Sequence, residues 1–143
     1  MCADASRLVG PNPSGPLRAC SLAVRAALHP ILAGGTRARR LVVGLSGGAD
    51  ALALALVTVD AASRAGVPVV TVTVDHGLRP GSRAEAESVA ELARSLGADA
   101  IVETVTVPRR GAGGPEAAAR DARRAALRAI AASEHAPVLL GHT

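Results

Sequence analysis

Ser46, Gly47, Gly48 and Asp50 bring a hydroxyl, two glycines and a carboxylate into one short turn. Glycine lets a chain turn tightly and approach an anion without a Cβ in the way. An apolar run, Leu41 to Leu45, enters this turn as a strand would, and a helix-forming run, Ala49 to Ala65, leaves it. A helix that begins there points its free N–H groups and the positive end of its dipole at the same spot. The chemistry is that of a phosphate-chain cradle. Ser-Gly-Gly alone is common in ordinary turns, and the flanking strand and helix supply the context that makes it specific.

Three further groups carry polar chemistry. Asp75-His76 follows a β-branched run, Gly141-His142 follows a short apolar run, and Glu116 and Arg120 stand four apart on a helical stretch and so share a face. Each has a plainer reading beside it. Asp50 can cap a helix N-terminus, Asp75 can cap a turn, and His76 can be a hydrogen-bonded turn residue. Glu116 and Arg120 can form a surface ion pair worth about 0.3 to 0.5 kcal/mol.

The elements that must position these groups follow from hydrophobic periodicity and turn residues. Residues 1–16, with Pro11, Pro13, Gly15 and Pro16, read as a flexible tail, and residues 17–143 as the folded domain. A helix with Leu17, Cys20, Val24, Leu28 and Ile31 on one face is expected to end near Pro30 and Gly34-Gly35. Strands are expected over Leu41 to Leu45, Val67 to Val74, Ala100 to Val107 and from Pro137 to Gly141. The helix after the Ser-Gly-Gly turn is apolar nearly all round and closes at Gly66. Ser82-Arg83-Ala84-Glu85 reads as a capping box, opening a helix with the stripe Ala86, Val89, Ala90, Ala93 and Leu96 that closes at Gly97. Gly111 to Gly114 reads as a flexible loop before Pro115 at a helix N1 position, with Ala119, Ala122, Ala126 and Ile130 facing the core.

Strands alternating with helices at this spacing predict an α/β fold, a doubly wound, Rossmann-like parallel sheet. In such sheets ligands bind beyond the carboxyl ends of the strands. Ser46 to Asp50, Asp75-His76 and Gly141-His142 all fall there, so the topology itself gathers them.

Composition bounds the rest. The chain has 143 residues, one domain's worth, and 49% of them are hydrophobic with no Phe, Tyr or Trp. Alanine buries little area, so the core should be thin, with closely approaching helices. Bases cannot be gripped by aromatic stacking. The formal charge is +4, and all 16 basic residues are arginine, a good bidentate phosphate ligand, although biased codon usage accounts for the composition equally well. Cys2 and Cys20 have no metal-ligand spacing, no secretory signal is legible, and no stretch reads as membrane-spanning, so a reduced, cytoplasmic setting is expected.

Ser46-Gly47-Gly48-Ala49-Asp50 resembles the pyrophosphate loop, or PP-loop, of the N-type ATP pyrophosphatases, which activate a carbonyl oxygen with AMP and release pyrophosphate. With Val74 to Ser82, Glu116 to Arg123 and Leu139 to Thr143, the stretch from Leu41 onward is similar to the N-terminal catalytic domain of the tRNA(Ile)-lysidine synthase family. The resemblance implies that the wobble cytidine of tRNA(Ile) is adenylated and that free lysine then displaces AMP to give lysidine. It implies ATP and Mg²⁺ as cofactors, tRNA(Ile) and lysine as partners, no membrane, and is compatible with a homodimer. On this resemblance Ser46, Gly47, Gly48, Ala49, Asp50 and Ala51 cradle the phosphates, with Asp50 holding Mg²⁺. Asp75 and His76 join the nucleotide site, Arg120 contacts ATP or the cytidine with Glu116 orienting it, and His142 approaches the α-phosphate.

The sequence departs from the family pattern at Ala51, where the motif ordinarily has serine, and at Arg124, commonly tyrosine. Losing the hydroxyl donor is expected to weaken ATP binding by about 1 to 3 kcal/mol if the site is dry. The family also continues beyond Thr143 into a paired-aspartate segment and further domains, so the sheet is expected to be incomplete at the C-terminus and lysidine synthesis to need a longer chain. Two other readings stay open: a nucleotide-binding domain without catalysis, and a different PP-loop tRNA-modifying enzyme. Thiolation needs reactive cysteines near the site, and both cysteines precede the first strand.

Overall fold

A computed structural model of the chain describes residues 4–33, 39–107 and 113–141. The elements run α1 (Ala5–Val9), α2 (Gly15–Ala33), β1 (Leu41–Gly44), α3 (Ala49–Arg64), β2 (Val69–Asp75), α4 (Ser82–Ser95), β3 (Asp99–Thr104), α5 (Gly114–Glu134) and β4 (Val138–Leu140). The four strands form one parallel sheet in the order β3-β2-β1-β4. The chain steps outward from β1 to β3, then returns past its starting strand to β4. Winding therefore reverses between β1 and β4, as the expected doubly wound fold requires.

Alternation along the strands feeds two cores. Leu41, Val43 and Leu45 pack with Leu28 of α2, Ala55, Val59 and Ala62 of α3, and Ala93 and Leu96 by the end of α4. Val42, Val70 and Val72 face the other way, onto Leu127 of α5, with Ile130 and Val138 beside them. One sheet face thus carries α2, α3 and α4, and the opposite face carries α5. Val69 to Thr73 are all buried, which explains the unbroken β-branched run. Gly44 lets β1 be crossed closely, since a Cβ there would lie 2.7 Å from Leu140 Cδ2 and 3.0 Å from Leu127 Cδ1.

Both α3 and α4 end as their glycines suggest. Gly66 and Gly97 adopt left-handed φ values of 68° and 99°. The Val67 amide donates to the Ala62 carbonyl and the Ala98 amide to the Ala93 carbonyl, closing two Schellman turns. Val67 is thereby committed to a cap, and β2 starts only at Val69.

The structure departs from the sequence reading in other places too. The stretch expected as a flexible tail carries α1, capped by the Asp4 side chain, with Ala5 and Val9 buried and the Ala5 amide donating to the Leu96 carbonyl at 3.0 Å. Helix α2 ends at Ala33, near Pro30 and ahead of Gly34-Gly35 as expected, and Leu28, Ile31 and Leu32 on either side of Pro30 pack into the core and offset its missing N–H. On the same helix Ser21 is buried, while Cys20 is exposed. The Ser82 capping box does not form: Gly81 holds the N-cap position with no side-chain cap, and the Ser82 hydroxyl is used elsewhere. On α5 the buried residues are Ala119, Leu127 and Ala131, with Ala122, Ala126 and Ile130 half-buried at the margins of the stripe. Of the expected loop Gly111 to Gly114, the first two residues lie outside the described residues, and Gly113 holds the N-cap position at φ 100°.

Asp60, fully buried on α3, ties three helices together. Its two oxygens accept from Arg25 of α2 at 3.2 Å and from Arg64 at 3.0 Å, and Arg64 also reaches the Gly10 carbonyl after α1 at 3.4 Å.

Candidate functional site

Beyond Gly44 the Leu45 amide still donates to the Val72 carbonyl, at 2.9 Å. The chain then leaves the sheet. Gly47 sits at φ 80°, and a Cβ on it would lie 3.0 Å from Val89 Cγ2, so both conformation and space call for glycine. Gly48 is extended and occupies the α3 N-cap with no side-chain cap bond. The first helical bond runs from the Leu52 amide to the Gly48 carbonyl at 3.0 Å. The amides of Ala49, Asp50 and Ala51 therefore precede the helical ladder. Among the described residues, no turn or loop bond engages the amides of Ser46, Gly47 or Gly48. This run of amides lies at a helix N-terminus, where the dipole favours negative charge.

Asp50 stands in the first turn of α3 and is exposed, and Gly48 rather than Asp50 holds the capping position. Ser46, Gly48 and Ala49 are also exposed, whereas Ala51 is only 5% exposed. Beneath this turn lies the end of β4. A Cβ on Gly141 would come within 3.0 Å of the Asp50 carbonyl oxygen and 3.1 Å of Ala51 Cα, so β4 exits against the first turn of α3. His142, expected near the site, lies outside the described residues.

At the end of β2, Asp75 is buried, and its Oδ1 accepts from the Ser82 hydroxyl at 2.6 Å and the Gly77 amide at 2.9 Å. These two bonds, with the Arg83 charge nearby, hold its carboxyl below the usual aspartate range despite burial. Asp75 both caps its turn and lines the cleft, so the plain and the functional placement coincide. His76 has its pKa lowered by burial and by the Arg123 guanidinium, with Asp75 acting in the opposite sense. Its Nε2 lies 3.4 Å from an Arg123 terminal nitrogen, and its Nδ1 is buried without a hydrogen-bond partner.

Ser46 and Gly47 of the turn share one cleft of about 430 Å³ with Asp75, His76 and Arg123 across the carboxyl ends of β1 and β2, whereas Gly48, Ala49, Asp50 and Ala51 do not line it. Ser46, Gly47, Asp75, His76 and Arg123 supply its polar wall, and Leu45, Leu78 and Val89 its apolar wall. Arg79 and Glu85 also line it and pair with each other at 2.6 Å. Such a cleft can hold a phosphate chain at one end and a flat apolar body at the other.

Arg120 and Glu116 are not brought into the cleft. Both are exposed on α5, and no ion pair joins them among the described residues. Arg123 takes the inward place instead. The signal was present in the spacing: Ala119, Arg123, Leu127 and Ala131 recur every four residues, placing one arginine in an otherwise apolar buried stripe. Ser82 was read as a cap, and nothing local marked it as the partner of Asp75.

Among the described residues no group of three or more His, Cys, Asp or Glu side chains is placed to hold a metal. A lone exposed Asp50 beside a row of amides still fits Mg²⁺, which binds through one or two carboxylates plus substrate phosphates and keeps several waters. Cys20 lies on α2 and does not line the cleft. Among the described residues, no helix is long and apolar enough to cross a membrane.

Comparison with known proteins accords with this geometry. The PP-loop domain family matches residues 21–143. The chain is 50% identical over 135 residues to the tRNA(Ile)-lysidine synthase of Thermobifida fusca, covering 94% of this chain and 40% of that protein. It is 56% identical over 105 residues to the enzyme of the same name from Streptomyces coelicolor, covering 72% of this chain and 29% of the other. It thus spans less than half the length of these relatives. Among solved structures, the U34-tRNA thiolase NcsA from Methanococcus maripaludis, which carries a 4Fe-4S cluster, superposes with a TM-score of 0.65 at 16% identity, over 88% of this chain and 46% of that one. That likeness concerns the fold.

Proposed function

From the premise that this chain belongs to the PP-loop domain family, we propose that its cleft binds ATP and that it forms the adenylating part of a tRNA(Ile)-lysidine synthase. The observation that carries the proposal is the convergence of the open amide turn at Ser46 to Ala51 with Asp75, His76 and Arg123 at one sheet edge. The triphosphate lies along the amides, and the adenosine rests against Leu45, Leu78 and Val89 in place of an aromatic platform. Asp50, exposed in the first turn of α3, would hold Mg²⁺, which when bound would supply charge neutralisation to the departing pyrophosphate.

The cytidine carbonyl oxygen attacks the α-phosphorus, pyrophosphate leaves, and the lysine amine then displaces AMP from the adenylated base. The chain's own part is to orient the α-phosphate and stabilise charge on it, through the helix N-terminus and the residue assigned there, His142. Arg120 and Glu116, exposed on α5 outside the cleft, suit contact with tRNA better than with ATP. Free lysine, a homodimer and a cytoplasmic setting belong to the same reading.

A second reading has a specific observation behind it. Ala51 removes a hydroxyl from the loop, which favours nucleotide binding without efficient catalysis. AMP formation from ATP, measured with unmodified tRNA(Ile) and lysine on the protein extended to the length of its relatives, separates the two. AMP formation dependent on both tRNA and lysine is expected. Nucleotide binding without it would replace the ligase reading with the binding module.

A further inference from the structure

We propose that Arg123 is a positioning residue that fixes His76 in a single tautomer, Nε2 accepting and Nδ1 carrying the proton, so that His76 offers one directed donor to the bound nucleotide. The proposal rests on the nucleotide reading of the cleft and deepens it. A guanidinium has five donors and no acceptor, so a hydrogen bond between Arg123 and His76 Nε2, at 3.4 Å, has only one sense. A neutral ring that accepts at Nε2 must hold its proton on Nδ1.

The surroundings agree. Arg123 is carried on the inward stripe of α5 between Ala119 and Leu127, and among the described residues no carboxylate pairs with it. It is therefore not a structural ion pair that happens to pass the histidine. Of the charged groups around the ring, Asp75 favours a protonated imidazole, whereas Arg123 and burial oppose it. Nδ1 is buried and has no hydrogen-bond partner among the described residues. A buried donor left unpaired is costly, and a small turn of the ring that brings Nδ1 to an acceptor atom of a bound ligand relieves it.

The test reads the tautomer directly. Nitrogen-15 spectra of the histidine side chains in the unliganded chain, which has four histidines, are expected to show His76 protonated on Nδ1. In Arg123→Met the proton is expected to redistribute toward Nε2. Affinity for Mg²⁺ with a non-hydrolysable ATP analogue supplies the second arm. The Asn side-chain amide lies near the position of Nδ1 and that of Gln near Nε2. His76→Asn should therefore bind within about threefold of the parent, and His76→Gln at least about tenfold more weakly.

Protonation on Nε2 in the parent, an unchanged tautomer in Arg123→Met, or equal affinities for the Asn and Gln variants would overturn the proposal. Failure of the parent chain to bind the analogue would instead overturn the nucleotide reading, while the unliganded spectra still decide what Arg123 does to His76.

Discussion

Asp75 depends on Ser82 more than on any other group, and that dependence has a sign. A carboxylate whose folded pKa lies below its unfolded value, about 4, contributes stability that is fully present above that value. The contribution is lost as pH falls through the lower, folded value. Ser82→Ala removes the foremost cause of the lowering, so acid unfolding followed by circular dichroism is expected to begin at higher pH in that variant. An unchanged acid midpoint would show that the Gly77 amide suffices. His76, also depressed, works in the same direction: its contribution is complete above about pH 6.5 and declines as pH falls toward its folded value. At Ala51 the expected change is a gain. The position is buried at the edge of the core in the first turn of α3, and Ala51→Ser should strengthen Mg-ATP binding by about 1 kcal/mol, roughly fivefold, in a calorimetric titration. The loop and Asp75 were legible because glycine pairs and strand ends carry strong local signals. Arg123 was passed over although its spacing with Ala119, Leu127 and Ala131 was in the sequence, because preferring it to Arg120 requires knowing how α5 is rotated on the sheet, which the burial of Leu127 and Ala131 settles.

Among the elements, the turn between β1 and α3 is the most sharply constrained. Gly47→Ala places an L-residue at φ 80° and its Cβ against Val89, a backbone penalty of about 1 to 2 kcal/mol before any repacking. Because Val89 belongs to α4, the strain falls on the contact between the loop and that helix. Nucleotide affinity is expected to drop by tenfold or more, with a smaller loss in thermal midpoint. An equal loss in both would mean that the turn serves stability alone. Element order and type followed from periodicity, but several ends did not. Val67 was taken by the turn that closes α3, and Ser82 was drawn from capping to a bond with Asp75. In both cases a hydrogen-bond partner only a few residues away decided the outcome.

At the scale of the molecule, the alanine-lined core leaves Asp60 an outsized part in holding α2 and α3 together and α1 alongside them. The asymmetry of the cluster gives a test. Arg25 and Arg64 are 39% and 46% exposed while Asp60 is fully buried, so the arginines can be hydrated alone and the carboxylate cannot. Replacing both arginines by methionine is expected to cost about 3 to 5 kcal/mol in urea unfolding, and Asp60→Asn distinctly less. The reverse order would mean that the cluster is held by the arginine stems rather than by charge. The alternating plan of the sheet was legible from the spacing of its apolar runs. The packing of α1 was not, since a helix of five residues just ahead of Pro11 shows no periodicity until a neighbouring surface receives it. The close seat of Gly141 on the backbone of Asp50 and Ala51 places the turn between β1 and α3 and the exit of β4 in one mechanical unit. Whatever free energy couples occupancy of the loop to the position of that exit acts equally in both directions. A partner that engages the chain beyond β4 would then tune nucleotide affinity by the same factor by which the nucleotide tunes the partner's hold, with no contact between the two ligands.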